Sequence, residues 1–246
     1  MTTDLKAQGM KLLLFMILAL VLFVNAPVTF AQTRPADRYD ACVERLAAGQ
    51  NSQRVRLNRQ ALREALRGLR RFQRNLADPY SVLLVDYSRR STAKRADLID
   101  FRRCDVVVHE YAIHGGAIYQ PYEQNWGEPN RNGMLQYCVR PDRSRQYMTR
   151  PGFYVTAGCH MTAKQNWTQV YGQCQGVKLA GLEQRTAEAM SAGIVLHEHL
   201  RIPNDGSIKP VGQGCPGFAP GRLANMFAYG LKVQGTLVYV YAPQCR

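Results

Sequence analysis

Acidic residues are scarce in this sequence. Its 246 residues include 18 Asp and Glu against 32 Lys and Arg, so the formal net charge is +14 at pH 7. A charge of this sign favours anionic partners and says nothing about the fold. The chain also lacks the composition of a disordered, collagen-like or multi-span membrane protein, because 46% of its residues are hydrophobic and only 20% are charged. What remains is a globular chain with one sizeable core.

The sequence has no apolar run of the roughly 20 residues that a membrane-spanning helix needs. Residues 12–24 form a shorter apolar run, which follows Lys6 and Lys11 and precedes small residues before Gln32. This arrangement is typical of a secretory signal peptide, with cleavage expected after Ala31, and an uncleaved anchor is the alternative. We therefore expect an exported protein, either periplasmic or secreted, in an oxidising compartment.

No C-x-x-C pair occurs among the seven cysteines, so neither a zinc ribbon nor a thioredoxin-like site is predicted. In an oxidising compartment most cysteines pair, and an odd number leaves one thiol over or pairs it between chains. Cys159 with Cys174 is the first pair we expect, because the loop between them is short and easily closed. The simplest interpretation is that six cysteines are structural and one is reactive. The seven are Cys42, Cys104, Cys138, Cys159, Cys174, Cys215 and Cys245.

Hydrophobic periodicity separates a helical part of the chain from a strand-rich part. Apolar residues at helical spacing predict helices over 38–48 and 57–76, and a later helix over 221–231. Short runs rich in Val, Ile, Leu and Tyr predict strands between them, so the expected fold is mainly β with some α (α+β). The predicted strands cover 81–86, 105–113, 153–156, 194–200 and 236–241, and the polar stretch 120–151 is predicted to be a long functional loop.

Arginines recur every three or four residues along the predicted helix over 57–76. At that spacing they share one side of the helix, and Glu64 is the one acidic residue among them. A solvated helix face is one interpretation, and a docking surface for anionic envelope polymer or a membrane surface is the other. The arginines are Arg56, Arg59, Arg63, Arg67, Arg70 and Arg74.

Cys215 is the strongest candidate for a reactive thiol. It lies in a glycine-rich turn before a predicted helix, and His197 ends the preceding apolar run. A thiol nucleophile needs a nearby base and backbone N–H groups to hold an oxyanion, and a strand histidine facing a Gly-Cys turn can supply both. The alternative is a disulfide cysteine and an ordinary strand histidine.

Two further nucleophile candidates compete with Cys215. Cys159 is followed by a histidine, and a His-Gly-Gly segment begins at His114, but a disulfide to Cys174 is the competing interpretation. Ser91 opens an S-x-x-K tetrad like that of penicillin-recognising serine enzymes, yet the S-x-N and K-T-G elements of those enzymes are lacking.

Gly214-Cys215-Pro216 and the segment 194–197 belong to an ordered series of motifs between residues 62 and 243. This series resembles the murein L,D-transpeptidase catalytic-domain family, in the branch whose nucleophile motif reads G-C-P. The matching segments are 65–68 (early helix), 85–95 (strand and S-x-x-K-R turn), 111–115 (H-G element), 152–156 (G-F-Y-x-T strand), 179–183 (L-x-G-L-E), 194–197 (catalytic-histidine strand) and 236–243 (closing strand).

The resemblance implies a mainly β, sandwich-like catalytic domain. It implies that Cys215 is the nucleophile, that His197 is its base, and that the backbone N–H groups of Gly214 and Cys215 hold the oxyanion. The substrates would be peptidoglycan stem peptides, with no metal or organic cofactor. The expected organisation is a signal peptide over 1–31, a basic N-terminal helical segment over 32–78 and an L,D-transpeptidase-like catalytic domain over 79–246.

The sequence departs from the family pattern at several positions near the reactive pair, and residues 191–193 lack the arginine often found just before the histidine strand. Glu198 replaces a glycine after the histidine, Gly212 replaces a serine, and Val211 replaces a basic residue. One alternative function is therefore a catalytically dead peptidoglycan-binding protein, and another is a basic protein that binds envelope polymer. His197 with His199 is a weak metal motif because no Cys or carboxylate partners stand at ligand spacing. An exported chain is not expected to bind nucleic acid.

Overall fold

The computed structural model describes residues 35–89, 92–113, 149–161, 166–205 and 214–243. The chain divides into two compact units, Met1–Arg38 and Tyr39–Arg246, and the second contains the sheet. The expected signal peptide lies outside the described residues. Within the described ranges, no helix has both the length and the apolar character needed to cross a membrane.

In the described part of the chain, two helices precede the strands. α1 spans Pro35–Ala47 and α2 spans Arg59–Phe72, followed by a short 3-10 turn at Gln73–Asn75. α2 begins where predicted because Asn58 caps it, its side chain accepting from the backbone N–H groups of Gln60 and Ala61. The helices expected over 38–48 and 57–76 are thus confirmed.

Eight strands form one continuous sheet in the described part of the chain, in the order β3-β2-β1-β8-β4-β5-β6-β7. This confirms the mainly β fold class. The strands are β1 (Ser81–Asp86), β2 (Ala96–Asp100), β3 (Asp105–Glu110), β4 (Gly152–His160), β5 (Gly176–Gly181), β6 (Val195–Glu198), β7 (Gly217–Phe218) and β8 (Gln234–Tyr241). A short helix, α3 (Arg222–Ala228), joins β7 to β8.

Both faces of the sheet are buried. Side chains alternate along a strand, so Val82 and Leu84 of β1 join one apolar cluster while Leu83 and Val85 join the other. The first cluster is covered by α1 and α2, and the second by α3 and the segments around β6. Residues 39–78 therefore help to cover the same sheet that carries the candidate site.

All five predicted strands are present, although their ends differ, and three further strands were missed. β2 and β5 were not predicted because charged residues or glycines interrupt their apolar residues. β7 has only two residues, too few to show any periodicity. The expected loop over 120–151 and residues Ser91 and His114 lie almost entirely outside the described residues.

Two disulfides join the described cysteines. Cys159 pairs with Cys174, which confirms the first expected bridge. Cys42 of α1 pairs with Cys104, just before β3, so this bridge ties the first helix to the edge of the sheet. Cys138 and Cys245 lie outside the described residues.

The arginine face of α2 is partly paired. Glu44 of α1 accepts from Arg59 at 2.8 Å and from Arg63 at 3.1 Å. Glu64 pairs with Arg67 at 3.6 Å. The arginine face thus has two acidic partners among the described residues, Glu44 and Glu64. Exposed pairs of this kind contribute about 0–1 kcal/mol each, and the arginine side chains stay largely open to solvent.

Gly68 allows α2 to approach the sheet closely, and its replacement by alanine tests this packing. A Cβ there would lie 2.3 Å from Cε1 of Phe153, whose ring is stacked on Tyr239 with centroids 4.4 Å apart. We expect Gly68→Ala to lower the free energy of unfolding by about 1–3 kcal/mol, measured by chemical denaturation. The loss should appear although alanine favours helix by about 1 kcal/mol.

Arg67→Ala is the matched control, because its side chain is 71% exposed on the same helix. Its effect should stay within about 0.5 kcal/mol. A Gly68→Ala protein as stable as the unmodified chain would contradict the close packing.

Candidate active site

The turn that carries Cys215 is fixed by contacts on both sides. Gly214 has a φ of 110°, a backbone conformation that residues with side chains rarely adopt. The hydroxyl of Thr149 donates to the Gly214 carbonyl at 2.5 Å, and Ile113 and Gly217 exchange backbone hydrogen bonds of 2.8 and 3.3 Å. The turn therefore enters the sheet directly, and Cys215 lies beside β6.

The Cys215 sulfur contacts the backbone of the strand that holds His197. The Val195 N–H donates to Sγ at 3.4 Å, and the thiol donates to the Gly193 carbonyl at 3.7 Å. Cys215 is half-buried, and among the described cysteines it alone is outside a disulfide. Two backbone groups within four residues of His197 therefore hold the sulfur beside β6.

His197 is a buried residue of β6, with only 4% of its surface exposed. It pairs with Gly217 in parallel register, and its N–H donates to the Pro216 carbonyl at 3.4 Å. Its Nδ1 lies 3.4 Å from the Glu198 carbonyl oxygen. A proton on Nδ1 would be donated to that oxygen, which leaves Nε2 as the proton acceptor.

Trp167 covers one face of the His197 ring. The two rings are stacked with centroids 3.9 Å apart and planes 5° apart. Trp167 belongs to the segment between β4 and β5, and its backbone forms an isolated bridge to His199. Sequence reasoning missed this residue because nothing in the local pattern links it to His197.

Tyr87 and Arg95 support the site from the core. The Tyr87 hydroxyl donates to the Ile113 carbonyl at 3.3 Å and also contacts Thr149. Burial raises the pKa of Tyr87 to about 12, so the phenol is neutral at neutral pH. The Arg95 guanidinium lies 5.0 Å from the Tyr87 ring centroid and donates to the Ala112 carbonyl. Burial lowers the pKa of Arg95 to about 10, which leaves it a cation at neutral pH.

Glu198, the most conspicuous departure from the family pattern, is buried and fully engaged. Its carboxylate accepts from Thr168 at 2.5 Å, from the Gly221 N–H at 2.8 Å and from the Ala224 N–H at 2.9 Å. These bonds place the carboxylate at the start of α3, where an anion is stabilised. Neighbouring residues on a strand point to opposite faces, so the Glu198 side chain projects away from the side of His197.

His199 and His197 make separate contacts. His199 Nδ1 accepts from the Arg201 N–H at 3.1 Å, and the His197 ring stacks on Trp167. Burial and the charge of Arg201 lower the pKa of His199. No group of three or more His, Cys, Asp or Glu side chains in the described segments is placed to hold a metal ion.

The structure thus brings Cys215, His197 and Gly214 together on adjoining elements. Cys159 has no thiol to act as a nucleophile, because it is in a disulfide with Cys174. Gly212 and Val211 lie outside the described residues, so their effect on the turn stays a prediction. Sequence reasoning missed the contacts of Thr149, Tyr87 and Arg95, although Tyr87 and Arg95 lie in a matching motif segment.

Glu198→Gln tests whether this residue is a structural cap. The amide keeps the shape of the side chain but turns one acceptor oxygen into a donor that faces other donors. We expect a loss of about 1–3 kcal/mol in the free energy of unfolding, measured by urea denaturation. Glu188→Gln, at a side chain that is 69% exposed, is the control and should change little. Equal stabilities of the two variants would count against the cap.

Three comparisons with known proteins were informative to different degrees. A family model described as an L,D-transpeptidase catalytic domain matches residues 53–241. No curated protein sequence gives a significant match.

Several solved structures are similar to this chain at low identity. One is an L,D-transpeptidase in complex with imipenem, with 12% identity and a TM-score of 0.37 over 66% of this chain and 59% of that one. The L,D-transpeptidase from Mycobacterium smegmatis has 11% identity and a TM-score of 0.37 over 66% and 59% of the two chains. An L,D-transpeptidase from Xylanimonas cellulosilytica has 14% identity and a TM-score of 0.33 over 65% and 60%. The matched region is thus less than two thirds of the length of each of these structures.

Proposed function

The chain belongs to the L,D-transpeptidase catalytic-domain family, and we propose that it is an exported cysteine acyltransferase acting on peptidoglycan stem peptides. Cys215 is the nucleophile and His197 is the base. The backbone N–H groups of Gly214 and Cys215 hold the oxyanion, and no metal or organic cofactor takes part. The observation that carries the proposal is the position of the Cys215 sulfur, 3.4 Å from the N–H of Val195, two residues before His197 on the same strand.

The first half-reaction forms a thioester. His197 Nε2 accepts the thiol proton, and the Cys215 sulfur attacks the carbonyl between the L-centre of the stem's diamino acid and the fourth, D-Ala residue. A C–S bond forms, the C–N bond breaks, and D-Ala leaves as an amine that takes its proton from His197. The negative charge on the carbonyl oxygen during this step is stabilised by backbone N–H groups of the turn.

The second half-reaction releases the enzyme. An acceptor nucleophile attacks the thioester, gives its proton to His197 and displaces the Cys215 thiolate, which is then reprotonated. With the diamino acid amine of a second stem as acceptor, the product is a cross-link between two diamino acids. With water as acceptor, the product is a shortened stem with a free carboxylate, which is L,D-carboxypeptidase action.

The surroundings of Glu198 favour this enzyme over a dead peptidoglycan-binding protein of the same fold. A carboxylate directed at the thiolate would repel it and oppose its formation. Here the carboxylate is bound by two backbone N–H groups and a hydroxyl at the start of α3. The substitution therefore adds a helix cap and leaves the nucleophile turn without a new charge.

Intact-mass measurement of the acyl-enzyme tests the proposal. Incubation with a disaccharide tetrapeptide should add the mass of the substrate minus D-Ala to the unmodified protein, and a carbapenem should add a stable adduct. Cys215→Ala should form neither adduct because it has no sulfur nucleophile. Its circular dichroism should match that of the unmodified protein.

A second variant separates the loss of the thiol from any change in the fold. Cys215→Ser keeps the size of the side chain and offers a far weaker nucleophile, so its acylation should be slowed to near the limit of detection. A Cys215→Ala protein that still acquires the tripeptide mass would overturn the assignment of the nucleophile. A folded unmodified protein that reacts with neither reagent would favour the dead peptidoglycan-binding alternative.

Export and envelope contact belong to the same proposal. Two disulfides between described cysteines suit an oxidising compartment. A signal peptide over 1–31 would deliver the chain there, the helical segment over 32–78 would present its arginines, and residues 79–246 would carry the reacting groups. Arg63 and Arg67 keep 59% and 71% of their side chains exposed, as contact with an anionic polymer or membrane surface requires.

Charge reversal on α2 and on the 3-10 turn that follows it tests the envelope contact. Arg67→Glu, Arg70→Glu and Arg74→Glu together should reduce sedimentation with isolated cell envelope at low salt. Each basic residue near an anionic surface contributes about 1 kcal/mol, and the attraction fades over a Debye length of about 8 Å at physiological salt. Turnover of a small soluble muropeptide should stay unchanged.

The matched control changes the net charge equally at another surface. It combines Arg54→Glu, Lys178→Glu and Lys232→Glu, at three exposed residues outside α2. Envelope binding that falls equally in both triple variants would indicate a general charge effect. The α2 arginines would then be interpreted as a solvated helix face.

A further inference from the structure

The contact between Trp167 and His197 covers one whole face of the imidazole. The ring centroids are 3.9 Å apart and the planes are within 5° of parallel. Rotation of the imidazole out of this plane would break the stack. The His197 ring is thus held in a single plane, with Nδ1 directed at the Glu198 carbonyl.

The segment that carries Trp167 is held in place independently of the ring contact. It connects β4 to β5, and the Cys159–Cys174 disulfide closes it near both ends. The Leu200 N–H donates to the Asn166 carbonyl at 2.9 Å, beside the bridge between Trp167 and His199. The indole is therefore presented to His197 by a braced loop.

A glycine at the base of this loop makes room for the stack. Gly176 pairs with His197 across β5 and β6. A Cβ on Gly176 would lie 2.9 Å from the Leu196 carbonyl oxygen, 3.4 Å from Cζ3 of Trp167 and 3.5 Å from the His197 Cβ. A larger residue at this position would push against the strand and the indole together.

We infer that Trp167 is a positioning residue for the base, held by the disulfide-closed loop between β4 and β5. This inference rests on the proposed function, in which His197 takes the proton of Cys215. The indole fixes the plane of the imidazole, so that the Nδ1 proton stays on the Glu198 carbonyl and Nε2 stays the acceptor. It acts through His197 and takes no part in the bonds that form and break.

Two other roles would leave different signatures. A tryptophan that binds substrate would change KM when it is removed, while a positioning residue changes kcat. A tryptophan that only fills space would change stability and leave the reactivity of the folded protein unaltered. The measurements below separate these roles.

The kinetic test compares three variants of the full chain. Trp167→Ala removes the stack, Trp167→Phe keeps an aromatic face, and Tyr171→Ala is the control in the same loop, where the 58% exposed Tyr171 contacts Phe227. With a soluble muropeptide, we expect Trp167→Ala to lower kcat by up to about 100-fold, the loss that a small misplacement of a reacting group can cause. KM should stay within about twofold of the unmodified value. Trp167→Phe should restore most of the rate, and Tyr171→Ala should leave it unchanged.

A spectroscopic test does not depend on turnover. In histidine-labelled protein, the stacked indole should shift the His197 ring-proton resonances upfield, with His197→Gln identifying the signal. Trp167→Ala should move these resonances back, Trp167→Phe should move them partly, and Tyr171→Ala should leave them in place. Resonances of His197 that do not move in Trp167→Ala would overturn the inference.

Alkylation of Cys215 by iodoacetamide separates this inference from the proposed function. If the unmodified protein turns over no muropeptide but Trp167→Ala still slows alkylation, the proposed substrate fails and the positioning role stands. If the unmodified protein is active and Trp167→Ala matches it in both kcat and alkylation, the proposed function stands and the positioning role fails. Far-ultraviolet circular dichroism and the thermal unfolding midpoint check the folding of each variant, and Trp167→Phe carries the comparison if Trp167→Ala does not fold.

Discussion

Parallel pairing between β6 and the two-residue strand β7 is the contact on which the rest of the site depends. It sets His197 opposite Gly217, so the residues just before Gly217 run alongside β6. Gly217 has to be a glycine here, because a Cβ would lie 2.8 Å from the side chain of Ile113. Ile113 in turn bonds to both backbone groups of Gly217. A shift of this register by one residue would turn His197 to the other face of the sheet.

The two candidate residues of the site could be picked out from the sequence, while the residues that contact them could not. Cys215 and His197 stand in short local patterns, a Gly-Cys turn and the end of an apolar run. The structure places the turn beside the strand that carries His197. Trp167 and Thr149 act through contacts with residues far away along the chain, and a single sequence carries no trace of such pairings. Apolar strands such as β1 and β8 were equally visible, since buried Val and Leu follow one another along them.

β2 shows why part of the sheet escaped prediction. Its second residue, Asp97, carries a buried carboxylate. A charged residue at this position makes the hydrophobic pattern of the segment look like that of a loop. The structure pairs Asp97 with His109 of β3 at 2.6 Å and with Arg89 at 3.7 Å. The cost of burying the carboxylate is offset by partners that only the folded sheet assembles. The burial of the Glu198 carboxylate was not foreseen for the same reason, since its N–H partners lie more than twenty residues further along the chain, at the start of α3.

The order of the strands has a consequence for how the protein matures. β8 is the last strand along the described chain, yet it lies at the centre of the sheet, between β1 and β4. Until residues 234–241 have been synthesised, β1 and β4 have no common partner. Pairings between such distant segments close late because each requires a large loop. The sheet that carries Cys215 and His197 is thus completed only when nearly the whole chain is present, which places the assembly of this site among the last events of folding.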